Sequence, residues 1–209
     1  MFTDILIGIG LFMVSIPYSS FAEYTLHRWV MHRKVPVRIG KWRWEFSYPF
    51  HAHAEVHHQI FKADDSYHLK KEEDKWTIPM AWWNGPLLIL IASSPFIIAS
   101  FVSGMWYLWL PMSLGVGLYY GAYEYLHWCM HLPKARRLEM SEAFRRLNGH
   151  HLLHHRYMGT NNFNVVWPLA DWIMGTLLRR AKVPFCQPTG LVVPNVQPLS
   201  PFGVTLPVP

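Results

Sequence analysis

Between residues 80 and 120 the chain carries no Asp, Glu, His, Lys or Arg. An apolar stretch running from Pro79 to Tyr125 divides near Ser103-Gly104 into two segments, roughly 80–102 and 106–126. At a rise of about 1.5 Å per residue, each is long enough to cross the roughly 30 Å of hydrocarbon in a bilayer. Pro86, Pro95 and Pro111 are tolerated in such helices. A further apolar run, Ile5 to Ala22, comes first along the chain and is about 18 residues long, the lower practical length for a span. No basic residue precedes it and its extension carries histidines, so it is read as a retained span and not as a signal peptide.

The segments between these runs are polar and basic. Arg28, Arg33, Lys34, Arg38, Lys41 and Arg43 follow the first run, with Trp42, Trp44, Phe46 and Tyr48 as interfacial anchors. Lys134, Arg136, Arg137, Arg145 and Arg146 follow the third. The net charge is +6, and charged residues make up only 15% of the chain against 51% hydrophobic, so these cations fit the face of a bilayer and not nucleic acid. The positive-inside rule places both basic segments in the cytoplasm, which predicts an outside amino terminus and three spans. A re-entrant or interfacial helix over 163–178 would make a fourth membrane element. The expected fold is therefore all-α: an integral-membrane helical bundle of three to four spans over residues 1–182, with a cytosolic helical cap. A proline-rich extended tail occupies 183–209.

Thirteen histidines are as many as all the Asp and Glu together. Ten of them fall into four clusters: His27 and His32; His53, His57 and His58; His127 and His131; His151, His154 and His155. On an α-helix, residues three or four apart share a face, which joins His127 to His131, His53 to His57, and His151 to His154 and His155. His27 and His32 are five apart, so their convergence requires the helix to end, tighten or bulge there. On the expected topology all four clusters lie on the cytoplasmic side of the membrane. The sequence also repeats itself: Glu23-Tyr24-Thr25-Leu26-His27 ends the first run and Glu124-Tyr125-Leu126-His127 the third, and a histidine trio follows each pair. This predicts two half-sites, with Glu23 and Glu124 accepting ring N–H groups of ligands. His51 and His150 adjoin the trios, and His68 stands apart.

Imidazole suits zinc, copper, iron and nickel. A structural or hydrolytic zinc site uses about four ligands, whereas ten suit two metals. The two cysteines, Cys129 and Cys186, make neither a disulfide framework nor a thiolate site.

With its pair, trio, pair and closing His-x-x-His-His in that order across residues 23–176, the sequence resembles the fatty acid hydroxylase/sterol desaturase superfamily of membrane non-haem di-iron enzymes. The closing block, His150-His151-Leu-Leu-His154-His155-Arg156 followed by Asn162-Phe163 and then Asp171 and Gly175-Thr176, is similar to that of the superfamily. Two departures stand out: three residues, not two, separate His53 from His57, and Asn164 occupies a position where the superfamily often has Gly. Carotenoid hydroxylases are close neighbours of this pattern. The resemblance implies the ten clustered histidines as ligands to two iron ions, with zinc as a substitute in purified protein. Asp171 joins the two glutamates as a candidate second layer. It further implies O2 as co-substrate and a lipid substrate, such as a fatty acyl chain or sterol, that is hydroxylated or desaturated. The sequence carries no cytochrome b5-like segment, so a separate cytochrome b5-like or ferredoxin-like partner is expected to supply electrons. Trp29, Trp128 and Met130 are candidates to line the substrate path. From another class, a non-catalytic membrane metal-binding or transport protein uses the same histidines without redox chemistry, but the uncharged spans offer no ion path.

Overall fold

In the computed structural model, residues 2–179 are described, and they are mostly helical. The proline-rich segment 183–209 lies outside the described residues. Helix α1 (Phe2–Leu26) runs directly into a π-helical turn, His27–Met31. Strands β1 (Val35–Ile39) and β2 (Trp42–Phe46) form an antiparallel hairpin. Two single turns, α2 (Tyr48–Phe50) and α3 (His58–Ile60), flank a second π-helical segment, His51–His57. Helix α4 (Asn84–Ser103) and helix α5 (Trp109–His131) follow, then α6 (Glu142–Arg156) and the short α7 (Leu169–Ile173).

Helix α5 is the spine, packed against α1 on one side and α4 on the other. Contact with α1 is close because the facing residues are small: Ser15, Ser19 and Ser20 of α1 are buried, and so is Gly115 of α5. The outer faces stay apolar and bare, with Ile5, Ile9 and Met13 on α1 and Leu90, Ile98 and Phe101 on α4 exposed. Among the described residues two helical stretches, Phe2–Met31 and Asn84–Ser103, are long and apolar enough to cross a membrane. Helix α5 has the length, with 23 residues, but its tyrosines, glycines and histidines dilute its apolar character. Helix α4 stops where Gly104 adopts φ +68°, a conformation that costs glycine little.

Helix α6 starts on Ser141, whose hydroxyl accepts from the Phe144 N–H, with Glu142 in the first turn. Its buried side includes all the histidines from His150 to His155, and it caps the bundle at the end where α1 and α5 finish.

Two expectations about the fold need correcting. The chain is not purely helical, since Val35, Val37 and Ile39 and then Trp42, Trp44 and Phe46 place apolar side chains at every second residue on either side of Gly40-Lys41, and the two stretches pair as a hairpin. The helix expected over 163–178 shrinks to the five residues of α7. Asn162, Asn164, Asp171 and Thr176 instead tie the rest into an irregular loop through side-chain to backbone hydrogen bonds.

Candidate metal centre

The four clusters converge. One nitrogen from each of His27, His32, His53, His58 and His154 lies within 4.8 Å of the others, and the same holds for His57, His127, His131, His151 and His155. Nine of the ten side chains are buried, and His32 is partly so.

Local backbone form explains the first group. A π-helix bonds residue i to i+5, so residues five apart share a face. His27 and His32 flank one π-helical turn, and His53 and His58 span the other, where the His58 N–H donates to the His53 carbonyl. The expected α-helical pairing of His53 with His57 is therefore replaced by His53 with His58, and His57 turns to the second group. His127 and His131 sit one α-turn apart on α5, as do His151 and His155 on α6.

The half-sites also exchange members. The first half of the sequence supplies His27, His32, His53 and His58 to one group, and His154 completes it. The second half supplies His127, His131, His151 and His155 to the other, and His57 completes that. In each trio the middle histidine crosses over.

Backbone carbonyls orient the rings. Nδ1 of His57 faces the Thr77 carbonyl at 3.0 Å, Nδ1 of His131 the Tyr67 carbonyl at 2.8 Å, and Nδ1 of His154 the Asn161 carbonyl at 3.0 Å. His27 pairs in the same way with Phe163, and His155 with Phe61. A carbonyl only accepts, so Nδ1 carries the proton in all five, and Nε2 is left with a bare lone pair.

The Nε2 atoms are crowded against other imidazole nitrogens. Nε2 of His154 lies 3.0 Å from Nε2 of His32 and 3.2 Å from Nε2 of His58. Nε2 of His155 lies 3.0 Å from Nε2 of His151, and Nε2 of His131 lies 3.2 Å from the same atom. Nε2 of His57 and of His127 are buried with no hydrogen-bond partner. Buried acceptors without donors are costly unless a cation satisfies them, so these residues fit metal ions. Protonating the rings is a poor alternative. Burial holds His53, His58, His151 and His155 well below the ordinary imidazole range, and the neighbouring imidazoles add to the effect. Burial also brings His57 and His154 down to about 4. Neutral imidazole is the form that ligates.

The expected second layer is arranged differently. The Glu23 carboxylate accepts from the Val165 N–H at 2.6 Å, from Asn164 Nδ2 at 2.9 Å and from the Tyr119 hydroxyl at 2.7 Å, and so ties α1 to the 163–165 loop and α5. The Glu124 carboxylate accepts from the Met80 N–H and the Tyr120 hydroxyl. Their hydrogen bonds fasten helices and do not run to a histidine ring. The Asp171 carboxylate accepts from His150 Nε2 at 3.2 Å, from the N–H groups of Phe163 and Asn164, and from the Thr176 hydroxyl. Burial pushes its carboxyl up, but these hydrogen bonds together bring it below the usual range. Asp171 thus fixes the loop whose Asn161 and Phe163 carbonyls orient His154 and His27. Asn162, at φ +56°, is buried in that loop and bonds the His150 carbonyl and both backbone groups of Leu178. His51 is exposed beside Glu55, and His68 joins neither group.

An apolar cavity of about 480 Å³ lies between α1, α4 and α5, and its lining includes Leu26, His27, Ile89, Val116 and Tyr123. His27 is the one clustered histidine among its lining residues. Trp29, Trp128 and Met130 are not part of the wall: Trp29 stacks under Arg28 and Arg33, and Met130 is packed in the core.

No protein-family model matches the chain, and comparison with curated proteins and with solved structures finds no match.

Proposed function

We propose that the chain is a membrane-embedded oxygenase that holds two iron ions in its two groups of five imidazoles and oxidises a C–H bond of a lipid, as its resemblance to the fatty acid hydroxylase/sterol desaturase superfamily implies. The observation that carries this reading is the pair of all-imidazole groups, the first of which meets an apolar cavity at His27. Ten neutral nitrogen donors exceed what a single structural or hydrolytic metal uses. An apolar chamber beside them suits a hydrocarbon chain and offers little to a hydrophilic ligand.

The bilayer placement rests on the apolar exteriors of α1 and α4 and on Leu110, Leu114 and Leu118, exposed one turn apart along α5. Helix α4 has 20 residues, a length of about 30 Å, which matches the hydrocarbon thickness. The metal groups then sit at one membrane face, and the flanking cations favour the cytoplasmic side.

Iron held there would supply dioxygen reduction and C–H oxidation, with one oxygen atom ending in a hydroxyl product and the other in water, or both in water when a double bond forms. The chain's own residues do the rest. The cavity wall of Val116, Ile89 and Leu26 binds and straightens the hydrocarbon and excludes water, and His27 marks the end at which oxidation occurs. The five carbonyl-held imidazoles keep their Nε2 atoms aimed inward with no donor proton, so no rearrangement of tautomers accompanies metal loading. Electrons come from a separate redox protein of the cytochrome b5 or ferredoxin kind.

Metal analysis of the purified chain, joined to lipid profiling of expressing cells under air and under nitrogen, tests the reading. Two irons per chain and an oxygen-dependent hydroxylated or unsaturated lipid are expected. Tight zinc binding with lipids unchanged under air overturns it in favour of metal storage or transport.

A further inference from the structure

The β1–β2 hairpin plays no part in the metal groups. In its register Val35 faces Phe46, Val37 faces Trp44 and Ile39 faces Trp42, so these six side chains share one face. Ile39, Trp42 and Trp44 are half or more exposed. The opposite face pairs Arg38 directly with Arg43 and Pro36 with Glu45. Like charges directly across an antiparallel pair repel, and a two-stranded hairpin is marginal alone in water. A bare aromatic face and an unneutralised guanidinium pair both call for something outside the protein.

The charge around the hairpin narrows the choice. Residues 33–46 carry Arg33, Lys34, Arg38, Lys41 and Arg43 against one carboxylate, Glu45, which lies 4.0 Å from Lys34 Nζ. Among the described residues none supplies a carboxylate to Arg38, Lys41 or Arg43, so the missing counter-charge is an external anion. Its position narrows it further. The hairpin leaves the metal-side end of α1, and Tyr48, just past β2, packs on Trp83 at the start of α4 with ring centroids 5.4 Å apart. Exposed Trp76 and Trp82 lie in the segment leading into the same end of α4. Exposed indoles at helix ends, cations above them and apolar side chains below are what an amphipathic element needs to lie in a headgroup layer.

We propose that the hairpin is a wedge for anionic phospholipid, with its Val/Ile/Trp/Phe face resting at the acyl boundary and Arg38, Lys41 and Arg43 binding lipid phosphate. This rests on the bilayer reading above and adds a lipid-binding surface to it. The surface holds the cytoplasmic cap against the membrane plane.

The test uses the full chain in vesicles of phosphatidylcholine alone or mixed with phosphatidylglycerol. A nitroxide is attached to Ile39→Cys in a Cys186→Ser background, with Leu90→Cys on the outer face of α4 and exposed Glu73→Cys as references. Contact with dissolved oxygen against a water-soluble nickel chelate reports depth. In anionic vesicles position 39 is expected to favour oxygen as position 90 does. It should shift toward the behaviour of position 73 in pure phosphatidylcholine, or when Arg38→Gln and Arg43→Gln are combined. A nickel-exposed position 39 beside an oxygen-favouring position 90 overturns the wedge and leaves the bilayer reading intact. Nickel exposure at both positions overturns both. Equal burial of position 39 in the two lipids overturns phosphate binding. Spin–spin broadening at 39 that vanishes on dilution with unlabelled chain shows a second copy on the face, and protection gained only with an added acidic redox protein shows a docking partner. Either result overturns the lipid assignment.

Discussion

Replacing Gly115 by Ala tests how the two arms of the metal centre are held together. A Cβ at that position would lie 1.7 Å from Ser15 Oγ, 2.7 Å from Ser15 Cβ and 3.4 Å from the Phe12 carbonyl. The hydroxyl can swing away, at the cost of its 2.6 Å bond to the Phe12 carbonyl. The Ser15 Cβ cannot, so α1 and α5 must part by on the order of 1 Å to restore ordinary contact between carbons. Overpacking of this kind costs about 1–3 kcal/mol. At about 2–4 °C per kcal/mol for a chain of this size, Tm should fall by about 2–12 °C. Because α1 leads into His27 while α5 bears His127 and His131, the variant should also release metal to a chelator faster than the wild type. Tryptophan fluorescence during heating in detergent reads the first effect and a colorimetric chelator the second. Adding Ser15→Gly removes both close contacts and should restore most of the loss. If Gly115→Ala melts at the wild-type temperature, or Ser15→Gly rescues nothing, the inferred helix contact is wrong.

Four further outcomes follow from the geometry. His154→Ala and His57→Ala should each lower metal content from two ions toward one, because each removes the histidine that crosses into the other half's group; unchanged stoichiometry by elemental analysis refutes the exchange. Asp171→Asn keeps shape but loosens the loop that orients His27 and His154, and should weaken metal affinity about 10–100-fold in chelator competition, the usual cost of losing support behind a ligand. Val116→Trp fills the cavity and should abolish lipid product while both metals stay bound, as lipid analysis and metal assay together report. Metal-stripped chain should lose stability as pH falls from about 6.5 toward 4. The unfolded state takes up protons on His57 and His154 that the folded state refuses, so stability is complete above the unfolded value and declines below it. The slope is about 1.4 kcal/mol per pH unit for each ring. A denaturant midpoint that stays flat between pH 7 and 5 contradicts that.

Much of the site was legible because it is written in residue type. Ten clustered histidines announce themselves, and the apolar stretch from Pro79 to Tyr125, divided near Ser103-Gly104, places α4 and α5 to within about five residues at each end. The sorting of ligands was not legible. His27 with His32 and His53 with His58 pair through π-helical backbone, whereas a 3.6-residue period pairs His53 with His57. Nothing in either sequence demands the extra residue per turn; the convergence of rings from distant helices makes it worthwhile. Glu23 and Glu124 illustrate another limit, since a distance of three or four residues from a histidine says nothing about whether a tyrosine or a free backbone N–H lies nearer. The hairpin carried a signal that the basic residues obscured: Val35, Val37 and Ile39, then Gly40-Lys41, then Trp42, Trp44 and Phe46 is strict alternation around a glycine turn.

His57 and His58 are neighbours in sequence, yet they belong to different groups of ligands. On the two-metal reading proposed above, whichever ion arrives first clamps the short stretch of backbone from which the other ion's ligand also hangs. Occupancy at one position prepays part of the ordering needed at the other, so the chain should fill in pairs, with singly loaded molecules scarce at intermediate metal supply.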